Sequence, residues 1–201
     1  DFAVKHDLWI LDDMIYSTLV WSEEGYTSPC AFPGGPERTI TIGGWSKGWA
    51  MTGWRLGWVT GPTSVMDGVK KINVSAATHV PTFLMPAAEK ALGLKEEVEA
   101  MQEAFAERRL AIHEGFASLP GVVAPRPEGA FYILCDITGT GMTDMEFAKE
   151  ALEQAKVQLI PGSLMKGGEG LVRISYATSL ENIHEGVRRL RTWLESRGSQ
   201  G

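Results

Sequence analysis

At 201 residues, with 44% hydrophobic and 22% charged side chains, the chain has apolar material for one or two buried cores. Its formal net charge of -6 disfavours a phosphate-backbone surface, so no nucleic-acid partner is expected. No run reaches the roughly 18 apolar residues of a membrane-spanning helix, so no membrane association is expected either.

The first part of the chain reads as strands joined by loops. Leu8-Trp9-Ile10-Leu11 is a short apolar run closed by Asp12-Asp13, the pattern of a strand buried on both faces. A loop rich in Gly, Pro and Ser follows over 22–36. Arg38-Thr39-Ile40-Thr41-Ile42, rich in β-branched residues and ended by Gly43-Gly44, predicts a second strand. Leu56-Gly57-Trp58-Val59-Thr60, closed by Gly61-Pro62, predicts a third. A short helix is expected over 64–72 and a long helical pattern over 82–119, with a break at Gly93. Val98, Met101, Phe105, Ile112 and Phe116 mark the apolar face of that pattern. Strands are expected at 130–134, 157–160 and 171–176. Thr143-Asp144-Met145-Glu146 spells a capping box, and Ser179 caps a final helix with Leu180, Ile183, Val187, Leu190 and Leu194 on one face. Two α/β units result, over 1–81 and 82–201.

Cys30 and Cys135 lie far apart and the four histidines have no metal-like spacing with acids or cysteines, so no metal is expected. Free thiols suit a reducing compartment, and a cytoplasmic location is expected. The absence of a methionine before Asp1, with a strand pattern starting almost at once, reads as a piece of a longer protein.

The chemistry concentrates in Ser46-Lys47-Gly48-Trp49-Ala50-Met51-Thr52-Gly53-Trp54-Arg55-Leu56-Gly57. A lysine that can form an imine stands eight residues before a guanidinium that can grip a phosphate, in a glycine-punctuated turn. An aldehyde cofactor with a phosphate tail suits that pair, and pyridoxal 5'-phosphate (PLP) is such a molecule. Lys47 reacts as an amine only when unprotonated, and Arg55 can supply the cation that favours this. The Arg55 fork can pair two phosphate oxygens, with the Ser46 hydroxyl as a further donor. Gly43 to Lys47 lacks the Gly-Lys-Ser/Thr order of a nucleoside-triphosphate loop. Asp13, at the carboxyl end of a parallel-type strand, sits where ligands bind in open α/β sheets; Asp12 is a competing candidate, and the spacing to Tyr16 favours Asp13.

The pattern S-K-x-x-A-M-T-G-x-R-x-G resembles the cofactor-lysine motif of class I/II, fold-type I aminotransferases. Three further segments are similar to that family's motifs: Asp13-Met14-Ile15-Tyr16, with Met14 in place of a glutamate; Gly129-Ala130-Phe131-Tyr132; and Ile160-Pro161-Gly162-Ser163. Val172-Arg173-Ile174-Ser175 resembles its C-terminal strand. Where many members carry a serine three positions before the lysine, this chain has Gly44. The resemblance implies part of the PLP-binding large domain, with a mixed, mostly parallel sheet, followed by the smaller C-terminal α/β domain. It implies a Schiff base on Lys47, Asp13 at the pyridine nitrogen, Tyr16 at the ring hydroxyl and Arg55 with Ser46 at the phosphate. Arg173 would clamp the substrate α-carboxylate. The implied reaction transfers an amino group between an L-amino acid and a 2-oxo acid, in a homodimer whose N-terminal half precedes Asp1. A lyase or decarboxylase on the same fold, or a non-catalytic ligand-sensing domain, are the alternatives.

Overall fold

The computed structural model describes residues 1–198. The chain divides into two compact units, Asp1–Ala100 and Met101–Gly201. The sequence places the boundary at 81/82; the compact units instead divide inside a helix that both share.

After a four-residue helix α1 (Phe2–Lys5), the first unit is built on β1 (Ile10–Asp13), β2 (Thr39–Gly44) and β3 (Gly57–Thr60). The sheet order is β1-β2-β3, parallel between β1 and β2 and antiparallel between β2 and β3. Its polarity runs against the usual pattern. One face places Asp12, Thr39 and Thr41 in buried positions, while the other shows Leu11, Ile42 and Val59 to solvent, Leu11 at 66% exposure. The expectation that the first strand is buried on both faces is therefore corrected: among the described residues nothing covers the Leu11 face. Arg38 ties the start of the sheet to the N-terminal segment by donating to the carbonyls of Leu8 (3.0 Å) and Ala3 (3.3 Å).

Helix α2 (Thr63–Ala76) follows Gly61-Pro62, as Pro62 fixes the turn into its first residues. The long helical pattern resolves into a 3₁₀ turn (Thr82–Leu84), α3 (Met85–Leu92) and α4 (Lys95–Ala117), broken at Gly93. Pro86 stands at the start of α3, where its missing N–H costs nothing.

The second unit holds an antiparallel sheet of β4 (Tyr132–Asp136), β5 (Ile160–Pro161) and β6 (Leu171–Ser175), ordered β4-β6-β5. Strand alternation separates its faces. Ile133 sits opposite Ile174 and Cys135 opposite Val172, all buried, whereas Leu134 faces Arg173 on the other side. Helices α5 (Asp144–Glu150) and α6 (Leu180–Gly198) supply the rest of the core. Phe147, Ile183, Val187, Leu190 and Leu194 join Ile112, Phe116 and Tyr176 there. The apolar stripe expected on the last helix is the buried one, with Trp193 added and Leu180 only half-buried. Gly115 is where α4 meets α6: a Cβ at that position would lie 2.6 Å from Val187 Cγ2.

The Thr143 capping box forms in full, with the Glu146 N–H donating to Thr143 Oγ1 and the Thr143 N–H to Glu146 Oε2. Asp144 next to it accepts from the Ser163 N–H at 2.7 Å, tying the helix start to the Ile160-Pro161-Gly162-Ser163 segment. That bond holds the Asp144 carboxyl below its usual range. Gly162 in the same segment lies so close to the Gly168 carbonyl that a Cβ would fall 1.9 Å from its oxygen, so no side chain fits there.

Candidate active site

β1 and β2 run parallel, so the residues after both strands leave from the same end of the sheet. Asp13 is the last residue of β1 and pairs in register with Ile42; the next N–H, of Met14, donates to the Ile42 carbonyl at 3.0 Å. β2 ends at Gly44, and Lys47 follows three residues on. β3 runs back from Gly57, opposite Gly44, so Arg55 approaches the same end from the other direction. The Trp45 N–H donates to the Leu56 carbonyl at 3.3 Å and closes the loop that holds both side chains. Thus Asp13, Tyr16, Ser46, Lys47 and Arg55 are gathered at one end of one three-stranded sheet, the position where open α/β sheets bind ligands.

The loop is tightly specified. Ala50 (φ 53°) and Arg55 (φ 54°) both adopt the left-handed backbone region that non-glycine residues rarely enter. The Ala50 N–H donates to the Lys47 carbonyl and the Met51 N–H to the Trp45 carbonyl, winding the chain back on itself. Non-glycine residues in this region carry strain and persist when the surroundings over-determine them, as at functional sites. Gly44 and Gly48 allow close approach: a Cβ at Gly44 would lie 2.8 Å from the Leu56 carbonyl oxygen, and one at Gly48 would lie 2.6 Å from Thr18 Oγ1. A serine at the Gly44 position, which the family resemblance leads one to expect, therefore has no space here without a backbone shift. The neighbouring Gly43 is closed too, by the Trp58 ring 2.4 Å from where a Cβ would stand.

Lys47 Nζ lies over the Tyr16 ring, 5.9 Å from its centroid, a cation–π distance that orients the amine toward the turn after β1. Asp13 is exposed, and its Oδ1 accepts from the Ile15 N–H at 3.3 Å. Arg55 donates from Nη1 to the Thr52 carbonyl at 2.9 Å, which fixes one edge of the guanidinium and leaves other N–H groups for an anion. Ser46, half-buried, immediately precedes Lys47.

The choice between the two aspartates follows from strand alternation. Asp12 points to the buried polar face, where its Oδ2 accepts from Tyr26 Oη at 2.6 Å and Ser28 Oγ at 3.0 Å. Burial, then the Asp12 hydrogen bond, pushes the Tyr26 phenol above its ordinary value. Asp12 thus fastens the 22–36 loop to the sheet, and Asp13 takes the open face. Residue types alone do not reveal this cluster, because Tyr26 and Ser28 lie 14 and 16 residues away; the odd–even parity of β1 was the available signal.

Arg173 lies in the second unit, half-buried on β6 opposite Leu134 and Ile160. Its guanidinium carbon stands 4.9 Å from the centroid of the Tyr132 ring. The Gly-Ala-Phe-Tyr segment is thereby linked to the arginine strand, a pairing visible only once the β4–β6 register is known. Tyr176 locks the same segment by donating from Oη to the Ala130 carbonyl at 2.8 Å, and Ala130 is itself left-handed (φ 57°). Among the described residues no group of three or more His, Cys, Asp or Glu could hold a metal ion.

Comparison with known proteins identifies the family. The family model for aminotransferase class I and II matches residues 1–190. An aspartate aminotransferase of Pyrococcus abyssi is 40% identical over 194 residues, covering 94% of this chain and 50% of that protein. An arginine–pyruvate transaminase of Pseudomonas aeruginosa is 34% identical, again over 94% of this chain and 49% of the relative. Among solved structures, the aromatic aminotransferase of Pyrococcus horikoshii superposes with a TM-score of 0.94 at 38% identity, covering 98% of this chain and 54% of the other. The Rhizobium meliloti aspartate aminotransferase gives 0.87 at 29% identity, covering 96% and 51%. The chain therefore spans about half the length of the curated relatives it matches. By sequence and by fold, it belongs to the class I and II aminotransferases.

Proposed function

We propose that this chain is the C-terminal half of an amino-acid aminotransferase, carrying the cofactor lysine, the ring-nitrogen carboxylate and the phosphate arginine. The observation that supports this most directly is the convergence of Asp13, Lys47 and Arg55 on one end of the β1-β2-β3 sheet. The family's cofactor is PLP, and these residues suit it: a primary amine, an open carboxylate and a guanidinium with one edge already fixed.

Bound PLP supplies an aldehyde for the lysine and a ring that withdraws electrons from the substrate Cα. Around it, each side chain has one task. Asp13 would accept a hydrogen bond from the protonated ring nitrogen and keep it charged. Arg55, with Ser46, holds the phosphate dianion. Tyr16 hydrogen-bonds the ring hydroxyl. Lys47 would hold the cofactor aldehyde and, when its amine is not so engaged, would take and return the proton at the substrate Cα. Arg173 holds the α-carboxylate of an L-amino acid or 2-oxo acid in a bidentate pair, with Tyr132 supporting its plane.

The reading places the cofactor side of the enzyme in residues 1–81 and the interdomain helix with the small domain in 82–201. It carries with it a homodimeric whole protein in the cytoplasm, where the free thiols of Cys30 and Cys135 are maintained.

The test is a PLP titration of the chain and of the whole protein, followed by borohydride reduction and peptide mapping. A pyridoxyl adduct on Lys47, lost in Lys47→Ala, is expected in the whole protein and, if this half suffices for binding, in the chain. An adduct on a different lysine of the whole protein, or none at all, would end this reading.

A further inference from the structure

The second unit has a cavity that the proposed aminotransferase site does not use. It measures about 420 Å³, within the roughly 300–1,000 Å³ of small-molecule sites. Its wall includes Gln154, Lys156, Arg188, Arg189, Thr192 and Trp193. Trp193 gives it a rigid apolar side, since its ring packs edge-on to Phe147 with centroids 5.1 Å apart.

The charge is lopsided. Lys156, Arg188 and Arg189 contribute three cations to the wall, in a chain whose net charge is -6. The carboxylate that pairs with the two arginines is Glu185, which does not line the cavity. Arg188 donates to it from both Nε and Nη2 at 2.7 Å, and Arg189 from Nε at 2.7 Å. A guanidinium has five N–H donors. Arg188 therefore keeps three and Arg189 four after pairing with Glu185, and the pairing holds both planes in place. Three cations against one carboxylate leave two positive charges. Thr192 offers no proton to a ligand, because its hydroxyl donates to the Arg188 carbonyl; Gln154 adds a neutral amide.

The backbone at this wall is a short π-helical turn closed by a left-handed cap. Ala151–Ala155 is a π-helical turn, a form that occurs mostly in short pieces and often at functional sites. Lys156 follows it in the left-handed region, with φ 56°. Glycine would adopt that conformation without steric cost; the chain instead places an ammonium there and steadies it through a bond from Nζ to the Glu153 carbonyl at 2.8 Å. Two ammonium protons remain for a ligand.

We propose that this cavity is a binding site for a phosphoryl dianion, presented as free phosphate or as the phosphomonoester of a small metabolite. Two net charges match a dianion, the donors are guanidinium and ammonium groups suited to phosphate oxygens, and the volume leaves space for a small organic group beside the phosphate. Arg55 belongs to the first unit and is not among the residues that line this cavity.

The test uses NMR and calorimetry on the full 201-residue chain at fixed ionic strength. Inorganic phosphate and glycerol 3-phosphate are titrated in turn, with sodium chloride and glycerol as controls. Saturable shifts are expected at the amides of Lys156, Arg188 and Arg189 with both phosphates and neither control. Tighter binding of glycerol 3-phosphate identifies a phosphorylated metabolite, and equal affinity identifies free phosphate. The response persists in Arg55→Gln, which separates it from the cofactor site. Lys156→Gly relaxes the strained backbone while removing the ammonium, so it folds at least as well as the parent; it and Arg189→Gln weaken binding at least tenfold, whereas Arg126→Gln does not. Shifts that rise linearly, that chloride reproduces, or that survive both substitutions overturn the proposal.

Discussion

Two cysteines and two aspartates show how position, more than residue type, sets chemistry in this chain. Cys135 is fully buried between β4 and the core, and burial pushes its thiol up to about 12. Cys30 is exposed. At neutral pH a maleimide or iodoacetamide reagent should modify Cys30 in the folded chain and leave Cys135 untouched until denaturant is added, as peptide mass mapping would show. Equal labelling of both would mean that β4 opens readily. The aspartates follow the same logic. Asp12 and Asp13 are neighbours in sequence, yet strand parity sends one to Tyr26 and Ser28 and the other to the open face. Asp12→Ala should therefore cost stability, on the order of 1–3 kcal/mol for the loss of two part-buried hydrogen bonds to a carboxylate, while Asp13→Ala should leave stability nearly unchanged and lower cofactor affinity. Thermal melts and PLP titrations of the two variants distinguish these outcomes. Lys47, Arg55 and Arg173 are candidates that the sequence offers because spaced motifs carry them. Tyr132 beneath Arg173 was not, because a contact between residues 41 apart depends on register.

At the scale of elements, the helices were read most fully. The break at Gly93, the Thr143 capping box and the stripe on α6 all follow from local rules that act within a few residues. The strands kept nearly their expected lengths but their ends moved by one or two residues, as from 8–11 to Ile10–Asp13 and from 130–134 to Tyr132–Asp136, while 157–160 contracted to Ile160–Pro161. The preceding residues are taken up by the exit from the π-helical turn, where the Val157 N–H bonds to the Ala151 carbonyl rather than to a strand. Packing between helices sets two expectations here. Leu190 is fully buried at the centre of α6, so Leu190→Ala should destabilise the second unit by roughly 2–5 kcal/mol in a denaturant melt. Gly115→Ala would push a methyl to within 2.6 Å of Val187 Cγ2, and overpacking at such a contact costs about 1–3 kcal/mol. If Gly115→Ala were neutral, or stabilising as an ordinary glycine-to-alanine change in a helix, the close approach of α4 and α6 would be wrong.

Taken whole, the molecule joins a well-packed second unit to a first unit whose sheet keeps an apolar face in solvent. Leu11, Ile42 and Val59 are all more than a third exposed on that face. An exposed patch of this kind promotes association, so the isolated chain should self-associate with rising concentration in analytical ultracentrifugation. Leu11→Lys with Ile42→Lys should reduce that association without unfolding the second unit. Acid should act on the second unit through Asp144. Its pKa is depressed by the bonds from Ser163, so its contribution is present above the ordinary aspartate value of 3.8 and is lost as pH falls through the lower folded value. Asp144→Asn should flatten that acid limb of a melting-temperature profile. The sequence by itself determined the family, the α/β class and the helices, because motifs, caps and apolar periodicity act over short stretches of chain. Only the tertiary structure decided what Asp12 binds instead, how β2 and β3 bring Arg55 back toward Lys47, and which tyrosine supports Arg173. Those facts depend on strand register and on pairings between distant residues, and no local pattern encodes them.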